Sequence, residues 1–299
     1  MPDSSPDNYD IRPRLLKLRS GLSPSLHDPF DQLMDRTLFL SDPDALENPL
    51  TQPLAEFPGW VSSAVDDGPD RDPRLADMVE AAIVGYLFVR VQDDRLDEDL
   101  GDPDTAMFLA DAFLVRHQTL LARHVGADPR FWDLFESTAT EYAAAMLLER
   151  HALRRESHVD ADLFNQILGR SRPLILPGAA ILSVAGRWDL FDPVHLLVHH
   201  AVRAGQLVDD LMDSVQDLGA GRYTWVVRRL GGERGSEFML KSMLDTGIDE
   251  VVADVMDDLD VASIAAQEAG LSGAAAWIEA RRAAVSVLRD RLLLSGLLG

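Results

Sequence analysis

Alternation with a period of two is nearly absent from this 299-residue chain, whereas apolar residues return every third or fourth position along most of it. A half-buried strand needs the first pattern and an amphipathic helix the second, so the chain is expected to be all-α. One long helix is predicted to begin at Asp72-Pro-Arg-Leu75 and to run into Asp93-Asp-Arg-Leu-Asp-Glu98. Gly101-Asp-Pro-Asp104 then breaks the chain, with Asp104 as N-cap of a helix from Thr105 to about Val125. A third runs from about Arg130 to Arg155, and further helices fit 161–168, 174–184, 193–217, 237–244, 248–269 and 274–297. Residues 1–72 are mixed. Pieces rich in Pro, Asp and Ser flank the amphipathic segment Phe30–Leu40, which predicts an N-terminal arm with one or two short helices. That arm is expected to pack on, or lid, a helical domain over 73–299.

One helix of that domain has an unusual charge pattern. Ala201–Thr224 reads AVRAGQLVDDLMDSVQDLGAGRYT, with Asp209, Asp213 and Asp217 at i, i+4 and i+8. They are expected to form one acidic line, with Gln206, Asp210 and Asp213 on an overlapping face. Like charges at this spacing repel by a few tenths of a kcal/mol per pair, a cost that a bound cation would remove. Alone, such a stripe is most simply a solvated face. Far upstream, however, Asp93, Asp94 and Asp97 stand at i, i+1 and i+4 after the apolar run Ala81–Val89. Two acidic helix ends facing each other across a bundle would offer many oxygens to Mg²⁺, which keeps waters and shares its shell with phosphate.

These two stretches resemble the aspartate-rich motifs of the class I isoprenoid synthase superfamily. Asp93-Asp-Arg-Leu-Asp97 is similar to the first motif, and Gln206-Leu-Val-Asp209-Asp210-Leu-Met-Asp213 to the second motif of trans-prenyl diphosphate synthases. Asp209, Asp213 and Asp217 also fit the spacing of the terpene-synthase metal triad, with aspartates in place of its Asn, Ser and Glu. The resemblance covers about residues 74–230. It implies an antiparallel bundle of isoprenoid synthase type around a central apolar cavity, with Mg²⁺ as cofactor, three ions to a site, and a homodimer. Asp93, Asp94, Asp97, Asp209, Asp210, Asp213 and Asp217 would be the metal ligands.

The same resemblance assigns the groups around them. Arg170, in Gly169-Arg170-Ser171, falls where prenyl synthases hold the allylic diphosphate with a Lys-Thr/Ser pair. Arg222, in Gly221-Arg222-Tyr223-Thr224, falls where they have a Gly-Lys. A guanidinium grips phosphate oxygens in a bidentate fork, so both replacements keep the chemistry. Gln206 and Tyr223 are expected to join them at the diphosphate, with Gly219 and Gly221 as the hinge of a closing loop. Phe88 and Val89, five and four positions before Asp93, would floor the cavity, Phe88 favouring a shorter prenyl chain.

Other features read as structural. Arg90 and Arg203 each stand beside an acidic motif and can pair with it or reach a phosphate; the salt bridge is the simpler role. His195 and His199 have the i, i+4 spacing of zinc ligands but no third partner, so they read as core or surface histidines. Asp257-Asp258-Leu-Asp260 reads as a solvated face, and Phe108, Phe113, Phe131, Trp132 and Trp277 as core. A net charge of −22 argues against nucleic acid or an anionic membrane as partner. The absence of cysteine excludes disulfides, thiol catalysis and cysteine-bound zinc. No signal peptide is expected from Met1-Pro-Asp-Ser, and the apolar runs 81–89 and 174–184 are too short to span a bilayer, so a cytoplasmic location is expected.

Departures from the family narrow the expected reaction. Chain-elongating members bind a second diphosphate through basic residues at the N-terminus and after the first motif. Here Arg12-Pro13-Arg14 lacks that context, and Glu98-Asp-Leu-Gly-Asp-Pro-Asp104 is acidic where basic groups are needed. The resemblance therefore implies a one-substrate enzyme. It would be a class I terpene synthase that ionises an allylic prenyl diphosphate (C10 to C20 or longer), with Asp93, Asp94, Asp97, Asp209 and Asp213 central to catalysis. The alternatives are a chain-elongating prenyltransferase, a head-to-head condensing enzyme of squalene/phytoene type, and a non-catalytic partner subunit.

Overall fold

The computed structural model describes residues 12–36, 53–65, 71–96, 103–153 and 159–298. Among them there is no β-strand, and the expected all-α class holds. The chain forms two compact units, each drawn from two stretches: Met1–Glu136 with Pro173–Phe191, and Ser137–Arg172 with Asp192–Gly299.

The first unit contains α1 (Arg12–Gly21), α2 (His27–Arg36), α3 (Glu56–Val65), α4 (Arg71–Leu96), α5 (Pro103–Val125) and α8 (Leu176–Ala185). On α4, Leu75, Val79, Ile83, Leu87 and Val91 recur every fourth residue and are buried, the stripe that an amphipathic helix needs. They share a core with Ala106, Leu109, Ala110 and Phe113 of α5 and with Leu15, Phe30, Leu33 and Met34 of α1 and α2. Phe30 and Phe113 meet at 6.0 Å between ring centroids. The segment expected as an arm therefore contributes large side chains to the centre of this unit. Helix α8 packs against α3, α4 and α5, where Gly178 lets the Phe57 ring approach within 2.7 Å of where a Cβ would stand.

Proline and aspartate set the starts of the long helices. Helix α5 begins at Pro103, one residue before the expected N-cap Asp104, because proline's missing N–H costs nothing in a first turn; Asp104 sits in that turn, near the positive end of the helix dipole. Helix α6 (Pro129–Ala152) starts the same way, with the Arg130 backbone N–H donating to Asp128 Oδ1 at 3.0 Å. Among the described residues one helical stretch, Ala161–Ala185, is long and apolar enough to cross a membrane by length and composition. Most of its apolar window is buried in the protein, and it carries Arg170, Arg172 and a 3₁₀ segment, Leu168–Ile175, that includes Pro173.

The second unit holds most of α6, then α7 (Ala161–Ile167), α9 (Phe191–Gly219), α10 (Trp225–Arg229), α11 (Ser236–Ser242), α12 (Ile248–Glu268) and α13 (Ser272–Leu298). Helices α12 and α13 pack together, and Ala262, Ala265, Ala266 and Ala269 are buried. Phe108 does not belong to a core: it is 57% exposed, because α5 turns Leu109, Ala110 and Phe113 inward and Phe108 away. Phe113 and Phe131 are buried as expected, while Trp132 and Trp277 are half-buried.

Candidate functional site

Helix α9 buries Val194, Leu197, Ala201, Ala204, Leu207, Val208, Leu211 and Ser214, and this apolar face fixes how its acidic half is turned. The expected single line of aspartates divides. Asp209 and Asp213 are exposed, whereas Asp210 and Asp217 are buried. Each step of four residues advances about 40° round a helix, so two steps carry Asp217 from the solvent side to the packed side.

Around Asp210 the polar groups form a chain. Gln206 Nε2 donates to Asp210 Oδ1 at 2.6 Å, and the amide oxygen of Gln206 accepts from the Arg170 guanidinium. Arg170 also donates to Glu149 Oε1 of α6 at 2.5 Å. Burial pushes the Asp210 carboxyl up to about 7 against the opposing Gln206 bond and Arg170 charge, with Asp217 and Glu149 adding repulsion. Arg170 and Gln206, both expected at a diphosphate, are thus brought together, and Asp210 is committed to this network and faces away from solvent. Glu149 was not foreseen. Nothing local distinguishes it from the other acids of α6; only its partner on Leu168–Ile175 does.

Asp217 meets Arg222 at the end of the helix. The guanidinium donates from Nε to Asp217 Oδ1 at 2.9 Å, and its terminal nitrogen lies 2.8 Å from the same oxygen as an ion pair. Gly221, at φ +73°, bends the backbone so that the Arg222 N–H donates to the Asp217 carbonyl at 2.8 Å and the Gly221 N–H to Leu218 at 3.1 Å. This is the two-bond stop of a Schellman turn. Beyond it the Tyr223 N–H donates to the Leu153 carbonyl at 2.8 Å, Tyr223 is buried, and Thr224 caps α10. The segment expected as a hinge is a bonded helix stop.

No protein-family model matches the chain, and no curated protein matches it.

The first acidic motif lies in the other unit, at the end of α4. Asp93 is half-buried and pairs with Arg90 at 3.8 Å, the salt bridge expected from sequence. The side chain of Asp94, and Asp97 altogether, lie outside the described residues. Phe88 packs half-buried against the core of the first unit, and Val89 beside it is also half-buried.

Among the described residues no three or more His, Asp or Glu side chains are gathered so as to hold a metal ion. Mg²⁺ takes one or two carboxylates, several waters and phosphate oxygens, so Asp209 and Asp213, exposed one turn apart, suit it as a donor pair. Crowding by protein raises the Asp209 carboxyl, as does Asp213, against the pull of Arg281 and Arg170. The position of these acids in the last half of α9, toward the negative end of the helix dipole, adds to the demand for a positive partner.

Two further clusters differ from the sequence expectation or lie outside it. Asp258 is 2% exposed, not solvated: His200 Nδ1 bonds its Oδ1 at 2.7 Å and Arg203 its Oδ2 at 2.5 Å. Three acids in four residues cannot all face water on a packed helix, and only Asp257 and Asp260 do. Arg203 therefore serves α12 in place of the acidic motif. Arg281 of α13 is fully buried over the Trp277 ring at 5.1 Å; burial lowers it to about 10 against the attraction of Asp209. His195 contacts Arg172, and burial with the nearby His200 and Arg172 holds His199 down to about 4, so both are neutral packing histidines near pH 7.

Proposed function

We propose that this protein is a class I terpene synthase, which ionises an allylic prenyl diphosphate and lets the carbocation cyclise or rearrange. The observation that carries the reading is on α9. Two exposed carboxylates, Asp209 and Asp213, stand on the same helix that two arginines contact, Arg170 through Gln206 and Arg222 through Asp217. Carboxylates for a hydrated cation and guanidinia for an anion, on one short length of helix, suit a metal–diphosphate pair better than either ion alone.

In this reading Asp93, Asp94 and Asp97 of the first motif, and Asp209, Asp213 and Asp217 of α9, are the carboxylates that would hold cations for the diphosphate, and the fold would be an isoprenoid synthase-type bundle. Mg²⁺ bound there would act as Lewis acid and template for the leaving diphosphate. The Glu149–Arg170–Gln206–Asp210 chain fixes the Arg170 fork in place, so that it offsets negative charge without reorganising as the C–O bond breaks. Phe88, Val89 and their apolar neighbours would shield the cation from water, and a homodimer is the expected assembly. Incubation with geranyl, farnesyl and geranylgeranyl diphosphates and Mg²⁺, followed by gas chromatography, tests it: a hydrocarbon or alcohol is the expected product. Adding isopentenyl diphosphate tests the chain-elongating alternative, for which longer diphosphates would accumulate.

A further inference from the structure

We propose that Arg222 is an exchangeable counter-ion: Asp217 holds it while no cation is bound, and trades it for a divalent cation, which frees the guanidinium to take the phosphate anion. The inference rests on the functional reading above and adds the order in which the site fills and a coupling between its two ligands.

Four observations lead to it. Asp217 is only 6% exposed, and a buried carboxylate is costly to keep charged without a positive partner. Arg222 fills that need now, through an Nε hydrogen bond and an ion-pair contact from its terminal nitrogen, both to the single oxygen Oδ1. The exchange is sterically easy, because the Arg222 side chain remains 40% exposed while its backbone is fixed by the bonded stop at Gly221. Only the side chain has to swing. Finally, Asp213 lies one turn before Asp217 and is open to solvent, so a hydrated cation arriving there has Asp217 as its next carboxylate.

Two states of Arg222 follow. Bound to Asp217, it lowers the affinity of the acidic helix for cations and is itself unavailable to an anion. Released, it presents a fork suited to phosphate oxygens. Cation and anion then bind with positive linkage, each raising the affinity of the other by the same factor. A fixed structural salt bridge gives only the linkage that direct Mg²⁺–phosphate contact supplies, and none that depends on Arg222.

Isothermal titration of the full-length protein decides between them, with Mg²⁺ alone, inorganic pyrophosphate alone, and pyrophosphate in saturating Mg²⁺. For Arg222→Gln the two effects have opposite signs. Mg²⁺ alone binds about two- to fivefold tighter than in the wild type, the scale of a half-exposed ion pair. Pyrophosphate in Mg²⁺ binds at least about tenfold weaker, the scale of a lost charge-assisted hydrogen bond. Asp217→Asn sets Arg222 free, so pyrophosphate alone binds tighter than in the wild type; this second variant decides the matter if the first fails to fold by circular dichroism. Arg187→Gln removes the same charge from an exposed pair with Asp189 and changes neither affinity. Unchanged or weaker Mg²⁺ binding in Arg222→Gln, or unchanged metal-free pyrophosphate binding in Asp217→Asn, overturns the exchange while the functional reading stands. A wild-type protein that binds no pyrophosphate even with Mg²⁺ overturns both.

Discussion

Arg222 is tied to Asp217 twice, by its backbone N–H to the Asp217 carbonyl at 2.8 Å and by its guanidinium to the Asp217 carboxylate at 2.8 Å. The first bond requires the left-handed turn at Gly221. Gly221→Ala places a Cβ at φ +73° and is expected to cost about 1 kcal/mol in chemical denaturation. Gly219→Ala, two residues earlier at the exposed helical end with nothing near its Cβ, is expected to be neutral or stabilising.

Neighbouring aspartates on α12 separate a buried ion pair from a surface charge. Asp258→Ala leaves Arg203 and His200 without the carboxylate they share, at an expected cost of about 3 kcal/mol. Asp257→Ala, on the exposed face, should change stability by less than about 0.5 kcal/mol. Equal effects would contradict the assigned burial.

Helices α4 and α5 approach through a glycine. A Cβ at Gly85 would stand 2.9 Å from His117 Nδ1, the nitrogen that bonds the Ala81 carbonyl at 2.7 Å. Alanine gains up to ~1 kcal/mol of helix propensity but overpacks by about 1–3 and strains that bond, so Gly85→Ala is expected to be net destabilising. Gly59 of α3 has nothing within 4 Å of its Cβ, and Gly59→Ala should be stabilising by up to ~1 kcal/mol. Urea midpoints of the two variants should move in opposite directions.

The same histidine sets an acid limit. Complete burial lowers His117 from 6.5 to about 4, against its bond to Ala81. Between those values the unfolded chain binds a proton that the folded chain does not, so stability falls as pH drops through that window. The loss from this group between pH 7 and pH 4 is roughly 3 kcal/mol. His117→Gln should show a correspondingly shallower fall in that window, and an unchanged slope would contradict a neutral buried imidazole.

How much of this could be read from residues alone depended on the range of the interaction. The limits of α4, α6, α9 and α12 were legible to within a few positions, because periodicity, Asp-Pro starts and the glycine stop after Gln216 are local signals. The Arg90–Asp93 pair was legible for the same reason. The partners of Leu15, Phe30 and Met34 were not: these residues look like any short amphipathic segment until α4 and α5 are set against them. Spacing predicted one line for Asp209, Asp213 and Asp217, but the rotation of α9 is set by what it packs on, and that put Asp217 inside. Glu149, Asp258 and Arg281 acquire meaning only through partners far away in the chain.

The central claim is tested most directly by the products released when the purified protein meets geranyl, farnesyl or geranylgeranyl diphosphate with Mg²⁺. A Mg²⁺-dependent terpene hydrocarbon or alcohol is expected from at least one of them. It should be lost in Asp93→Ala and in Asp209→Ala while circular dichroism keeps its helical signal. Recovery of all three diphosphates intact, or turnover that survives either substitution, would contradict the account.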